Sequence, residues 1–470
     1  MGKRGNILYE LFGSPSSSTK KIYYGALVTV GLYVLGPTVT SLIQRLVTGK
    51  HQEVSDGRVD RVTTGLENRA NDCYANSSLQ SLASSETLAQ YLRNFLADIS
   101  EDQMDEEESK STTTYAKFPM HVALAGLLDK LREPLNSART LTAQRIKQVA
   151  QLLQGSNLRN TQQDAHEFTQ MILDSLYEEY KSRESPLTFP FRGTTGTQLV
   201  CLTCHNTSEM QRQDFMIYEA VAPQSYSADL ASILSQEQTT VIDGYKCLRC
   251  VLFRLLENER RLGPRPNMSQ FERDTLHHLE SVHTTLYINS DLAGPIHDYI
   301  RQYSRGGCAP YTMPSQVHKR TVITSMPLVL LIHLSRSVFS GSGSSVRNDC
   351  RVSYPASLDV PVPGLEQPGK YHLCSLTKHT GTHHRGHYQA YRHKPDLVKD
   401  RATGQVVNRS VRIGTQPPTA QGTKYKRIKS VVQRPFWKIS DSSVSEVSEA
   451  TVLGETKYVY MLYYEAGAMK

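Results

Sequence analysis

Gly65-Leu66-Glu67-Asn68-Arg69-Ala70-Asn71-Asp72-Cys73-Tyr74-Ala75-Asn76-Ser77-Ser78-Leu79-Gln80 puts one cysteine between a polar turn and the start of a helix. Asn71 or Asp72 reads as the N-cap, and Leu79, Leu82 and Ala83 follow at helical spacing. A thiol in that place faces the positive end of the helix dipole, which favours the nucleophilic thiolate. Asn68, five residues before Cys73, has an amide to donate to a developing oxyanion. A base and a group to orient it must still be brought to the thiol.

The base is offered by His387 in Gly386-His387-Tyr388-Gln389-Ala390-Tyr391. With Tyr371–His379 this run alternates apolar and polar residues, so the two read as neighbouring strands around a glycine-flanked turn. Further on, Phe436-Trp437-Lys438-Ile439-Ser440-Asp441 supplies Ser440 and Asp441, either of which suits an imidazole partner. Cysteine, histidine and a third polar group, far apart in sequence, form the constellation of a thiol hydrolase.

These segments resemble the boxes of the ubiquitin-specific protease family of cysteine deubiquitinases. The cysteine box is 65–80 and the histidine box 371–391. Between them Gln162-Gln163-Asp164-Ala165-His166-Glu167-Phe168 is similar to a third signature, and Pro327–Arg336 to the buried palm strand. Tyr458–Glu465 is similar to the closing strand, and the five boxes keep the family order over about residues 62–466. The resemblance implies an α+β, papain-like catalytic domain with helical thumb, β fingers and β palm. It also implies hydrolysis of the isopeptide bond after the C-terminal glycine of ubiquitin on protein conjugates.

The same resemblance assigns Cys73 as nucleophile, His387 as general base and acid, and Asn68 as oxyanion donor. Asp164 and Tyr388 are expected in the cleft that takes the tail of ubiquitin. Most members carry Asp or Asn where this chain has Ser440, followed by an Asp, here Asp441. Ser440 therefore occupies the third triad position, with Asp441 the alternative orienting group. A hydroxyl fixes the imidazole tautomer but brings no charge, so a slower triad is expected. A catalytically weak or inactive ubiquitin-binding scaffold is the alternative function.

Two CxxC pairs, Cys201/Cys204 and Cys247/Cys250, supply four thiolates for one structural zinc. The other thiols show no disulfide framework among the eight cysteines, which points to a reducing compartment. At 470 residues and 39% hydrophobic, the chain can bury one or two substantial cores. Helices are expected over about 71–183, and strands over about 187–250 and 321–466.

Ahead of that domain, Ile22–Ile43 runs 22 residues without a charge, between Lys20-Lys21 and Arg45. That length crosses a bilayer core of about 30 Å, and Tyr23 and Tyr24 suit its interface. The expected order is a tail (1–21), a single transmembrane helix (22–43), a linker (44–61) and the catalytic domain. The resemblance to the mitochondrially anchored branch places the anchor in the mitochondrial outer membrane, with the endoplasmic reticulum as alternative. The catalytic domain would face the cytosol.

Two insertions interrupt the domain, at 251–318 and 392–434. The first is expected to be partly helical. The second holds eleven Lys or Arg against Asp396 and Asp400, net +9, beside a whole-chain charge of +8. It reads as a solvated loop or as a contact for anionic lipid headgroups. No motif supports nucleic-acid binding.

Overall fold

The computed structural model describes residues 58–467, except 103–116, 155–162, 340–344, 382–385, 409–424 and the positions 70, 184–185, 238, 365, 396, 402 and 405. The expected membrane span at 22–43 lies outside the described residues. Among the described residues, no helix is long and apolar enough to cross a membrane.

Five helices form the first layer: α1 (Cys73–Leu82), α2 (Glu86–Asp102), α3 (Pro119–Arg132), α4 (Gln144–Gln154) and α5 (Ala165–Lys181). Every residue of α1 is buried, although half of them are polar. Each of those polar side chains makes at least one hydrogen bond, as burial favours. Ser78 Oγ lies within hydrogen-bond reach of the Tyr74 and Ala165 carbonyls, Gln80 Nε2 donates to the Thr64 carbonyl, and Ser81 pairs with Thr377. The cysteine helix is thus held on all sides rather than by one apolar face.

Two other helices take their N-terminal caps from remote carboxylates. Glu179 of α5 accepts from the Met120 and His121 amides at the start of α3. Glu465 accepts from the Glu86 and Thr87 amides that open α2. Orphan amides at a helix start need such acceptors, and the local sequence supplies none at Phe118.

The strands that matter for the site follow in chain order. They are β1 (Gly193–Cys201), β2 (Gln211–Phe215), β3 (Ile217–Val221), β4 (Thr239–Tyr245), β5 (Ser315–Ser325) and β6 (Val329–Ser335). After them come β7 (Gly369–Gly381), β8 (Gly386–His393), β9 (Phe436–Ser440), β10 (Ser443–Val447) and β11 (Val459–Ala466). The palm sheet runs β10-β9-β8-β7-β11-β6-β3, with Ser357–Val360 also paired to β7. Only β3 and β6 pair in parallel along it. The fingers are a separate sheet in the order β2-β1-β5-β4.

Both faces of the palm are covered, so β6 reads as a continuous apolar run rather than an alternation. Val329 and Leu331 belong to the core shared with the helices, and Leu330, Ile332 and Leu334 to the core on the opposite face. The insertion after the second CxxC pair is more helical than expected. It forms α6 (Leu248–Leu262), α7 (Gln270–Val282) and α8 (Gly294–Gln302). Val251, Leu252, Leu255, Leu256, Leu279 and Ile300 give it a core of its own.

Two expectations need correction. Residues 58–61 were assigned to a linker, yet Asp60 is 1% exposed and built into the domain. The basic insertion also loses two of its charges to the interior. Arg392 and Lys394 are buried, so they contribute nothing to a surface patch.

Candidate active site

Cys73 opens α1 and is buried. Asp72 is the N-cap, but its side chain makes no capping bond; it pairs instead with Lys147 of α4. The expected thiolate bias is also reversed at rest. Burial pushes the Cys73 thiol up and nearby Asp441 adds to this, while the Tyr388 backbone acts in the opposite sense. That last contact ties Cys73 to the residue beside His387.

His387 lies near the start of β8, half exposed, with Thr380 of β7 as its cross-strand partner. Its Nε2 is 2.7 Å from Ser440 Oγ at the end of β9. The same nitrogen is 3.9 Å from Asp441 Oδ2, beyond hydrogen-bond reach. Among the described residues, no hydrogen bond joins Cys73 Sγ directly to the His387 ring.

Asp441 is committed elsewhere. Its Oδ2 accepts from Asn68 Nδ2 at 3.0 Å and its Oδ1 from Asn76 Nδ2 at 2.8 Å. Asn68 is fixed at its other end, where Oδ1 accepts the Asp72 amide at 3.1 Å. Asp441 sits at φ +53°, a left-handed conformation that Asp tolerates, in the two-residue turn joining β9 to β10. That turn presses on the cysteine box. A Cβ at Gly65 would lie 2.7 Å from Ser442 Cα, and the Leu66 amide donates to the Asp441 carbonyl at 3.0 Å. Glycine at 65 is therefore required by close approach rather than by a turn of its own.

Asp164 caps α5 by accepting the His166 amide, and its second oxygen accepts from Tyr460 Oη at 2.5 Å. Tyr460 lies on β11, so the carboxylate is fixed between helix layer and palm. Tyr388 is buried beside it, with its ring stacked on His379 at 4.2 Å. Burial pushes the Tyr388 phenol up, as do the nearby charges of Asp164 and Cys73. The sequence reading missed Asn76 and Tyr460 as holders of Asp441 and Asp164. Asn76 stands inside the quoted cysteine box and Tyr460 inside the closing-strand segment Tyr458–Glu465, which are the only signals for them.

At the finger tips Cys201 ends β1 and Cys247 is the N-cap of α6. The four cysteine sulfurs lie within 4.8 Å of one another. Cys201 is 3.7 Å from Cys250, and Cys204 is 3.6 Å from Cys247. Four thiolates on one tetrahedral zinc at about 2.3 Å stand about 3.8 Å apart, whereas disulfides need about 2.05 Å. The cluster therefore fits a metal and excludes paired disulfides. His205, at φ +55°, closes the first knuckle by donating its amide to the Cys201 carbonyl.

A thiol on a buried helix, with an imidazole and its hydroxyl partner on adjoining strands, defines a papain-like thiol hydrolase. Comparison with known proteins is more specific. Residues 64–464 match the family model for ubiquitin carboxyl-terminal hydrolase. Ubiquitin carboxyl-terminal hydrolase 16 of Saccharomyces cerevisiae is 30% identical, over 96% of this chain and 97% of the relative. Ubiquitin carboxyl-terminal hydrolase 27 of Arabidopsis thaliana is 23% identical over 90% and 88%. Among solved structures, the SAGA DUB module bound to ubiquitin aldehyde shares the fold with a TM-score of 0.51 at 18% identity. That match covers 88% of this chain and 71% of the other. The chain belongs to the ubiquitin carboxyl-terminal hydrolase family, in its ubiquitin-specific protease form, and is a cysteine-type deubiquitinase.

Proposed function

We propose that Cys73 attacks the carbonyl carbon of ubiquitin's C-terminal glycine where it is joined to a lysine amine. His387 takes the thiol proton and returns it to the departing amine, so that the amide bond breaks and a thioester forms. It then deprotonates a water that releases ubiquitin with a free carboxylate. Ser440 holds the imidazole through Nε2, leaving Nδ1 for the thiol. Asn68 donates to the oxyanion and is a catalytic residue on this reading; Asp441 is a positioning residue that fixes it. Asp164 and Tyr388 line the path of the ubiquitin tail.

The observation that carries the reading is the 2.7 Å bond between His387 Nε2 and Ser440 on strands packed against the cysteine helix. The alternative, a weak or inactive ubiquitin-binding scaffold, follows from a third triad member that carries no charge. Ubiquitin bearing a C-terminal electrophile decides between them. A covalent adduct lost in Cys73→Ala supports the enzyme, and no adduct from folded protein supports the scaffold.

The four cysteines would hold one structural zinc that ties β1 to α6 and supplies no chemistry to the reaction. Metal analysis should find one zinc per chain, lost when two of the ligands are changed to serine. The uncharged 22–43 segment would anchor the chain in the mitochondrial outer membrane, with the catalytic domain in the cytosol. The endoplasmic reticulum remains the alternative. A fluorescent fusion of residues 1–60 that stays diffuse would remove the anchor. The remaining basic insertion would meet anionic lipid, since Lys399, Arg401, Lys426 and Lys429 are exposed. Each basic residue near such a surface contributes about 1 kcal/mol. Reversing those four charges should lower binding to anionic vesicles.

A further inference from the structure

Arg392 lies on β8, five residues after His387, and is sealed from solvent without a carboxylate partner among the described residues. Burial pushes its guanidinium down to about 9, a measure of how poorly the site compensates the charge. A buried cation without an anion is costly, so a position that serves only to fill space would hold an apolar side chain. What the guanidinium touches gives it a use.

Nη1 donates to Gln80 Oε1 at 3.0 Å, and Nη2 to the Leu131 carbonyl at 2.9 Å. Its plane lies over the ring of Trp437, 5.4 Å from the centroid. Gln80 stands seven residues after Cys73, two turns along α1 and so on the same side of it. Trp437 is the cross-strand partner of Arg392 and precedes Ser440 by three residues on β9. One side chain therefore joins the helix of Cys73, the strand of His387 and the strand of Ser440.

The connection closes into a ring. Gln80 passes its own amide to the Thr64 carbonyl at 2.7 Å. Two residues on, the Leu66 amide bonds the Asp441 carbonyl in the β9–β10 turn. Elements carrying Asn68, Cys73, His387, Ser440 and Asp441 are thereby tied through one buried guanidinium and one buried amide.

We propose that Arg392 is a positioning residue for hydrolysis. It sets the distance and angle between the Cys73 helix and the His387–Ser440 strands, acting through Gln80 and Trp437. The inference rests on Cys73 and His387 carrying the reaction. A methionine in its place fills most of the volume, but loses both donated bonds and leaves Gln80 Oε1 unmet, while the Leu131 carbonyl keeps only the Thr63 hydroxyl.

The test uses the full chain and a fluorogenic ubiquitin C-terminal amide. The Arg392→Met variant should lose at least tenfold in kcat with KM within twofold, and its kcat/KM–pH profile should shift as His387 turns away from Ser440. Arg392→Lys, which keeps one donor, should recover part of the loss. Trp437 is the only tryptophan of the chain, so its emission reports folding and the state of this contact independently of turnover. If Arg392→Met does not fold, Gln80→Met, which removes the α1 contact to Arg392 together with the Gln80–Thr64 bond of the same ring, should show the same kcat loss. Unchanged kcat per folded molecule in either variant overturns the proposal. Turnover that survives Cys73→Ala would instead sink the catalytic reading on which it rests.

Discussion

Strands β8 and β9 carry His387 and Ser440 at one end, and Arg392 and Trp437 at the other, with Lys394 one residue past the end of β8. At the catalytic end the imidazole meets a neutral hydroxyl, while the nearest carboxylate, Asp441, is held by Asn68 and Asn76. At the far end two full positive charges are buried. Lys394 Nζ pairs with Asp60 at 3.1 Å and Glu446 at 2.5 Å, and Arg58 bridges the same two carboxylates. Trp437 lies between the cations and donates Nε1–H to the Asp60 carbonyl. The sheet therefore spends its charge on fixing strands rather than on stabilising imidazolium.

The far end is where the largest effect is expected. Changing Asp60→Ala leaves Lys394 buried with Glu446 alone and frees the entering chain. A broken buried pair costs about 3–5 kcal/mol, which a urea titration should read as a lower midpoint at unchanged slope. A loss below about 1 kcal/mol would show that the cluster is slack and the contrast false. The same group predicts acid sensitivity. Its hydrogen-bonded cations, working against burial, bring the Asp60 carboxyl from 3.8 down to about 2. A depressed carboxylate stabilises the fold above its unfolded pKa and loses that contribution as pH falls through the folded one. About 2 kcal/mol should disappear between pH 4 and 2, and the loss should be absent in Asp60→Asn.

At the catalytic end the second effect is on rate. In Asp441→Asn an amide replaces a carboxylate that accepts from two asparagines, so one donor meets a donor. Asn68 is then released, and kcat should fall about 100-fold with KM little changed, in the range seen when an oxyanion donor is lost. Should the variant instead shift the pH profile and leave kcat at its plateau, Asp441 would be serving His387 after all.

Legibility in the sequence followed the same division. Cys73, Asn68, His387, Ser440 and the two CxxC pairs stand in short local patterns; the structure brings His387 to Ser440, Asn68 to Asp441 and the four CxxC sulfurs to within 4.8 Å of one another. The alternation around 371–391 and the helical spacing after Asp164 also gave β7, β8 and α5 their places. The buried charges were invisible because nothing near them in sequence explains them. Arg392 and Lys394 open a run of eleven basic residues, and only Gln80, Asp60 and Glu446, some of them over 300 positions away, show that two belong to the core. The caps of α2 and α3 failed for the same reason, since Glu465 and Glu179 arrive from other elements. The dipole at Cys73 was read correctly as geometry, but burial outweighs it.

The smallest effect sharpens the comparison most. Ser440→Asp would put a carboxylate where the hydroxyl now meets His387 Nε2. An adjacent anion raises an imidazole pKa by about 1–3 units, so the imidazolium of the thiolate–imidazolium pair survives to higher pH, while the thiol beside the added charge is no easier to ionise. The alkaline limb of the kcat/KM profile should move up by about one unit, and the acid limb should not move down. Asp441, 3.9 Å from the same nitrogen, limits the gain, because two carboxylates that close repel and one takes up a proton more readily. An alkaline limb that moves up would mean that the wild-type imidazole works without charge support, as the neutral Ser440 contact implies. A profile that does not move would mean that Asp441 already supplies the field across 3.9 Å, and the two ends of the sheet would then differ in geometry rather than in charge.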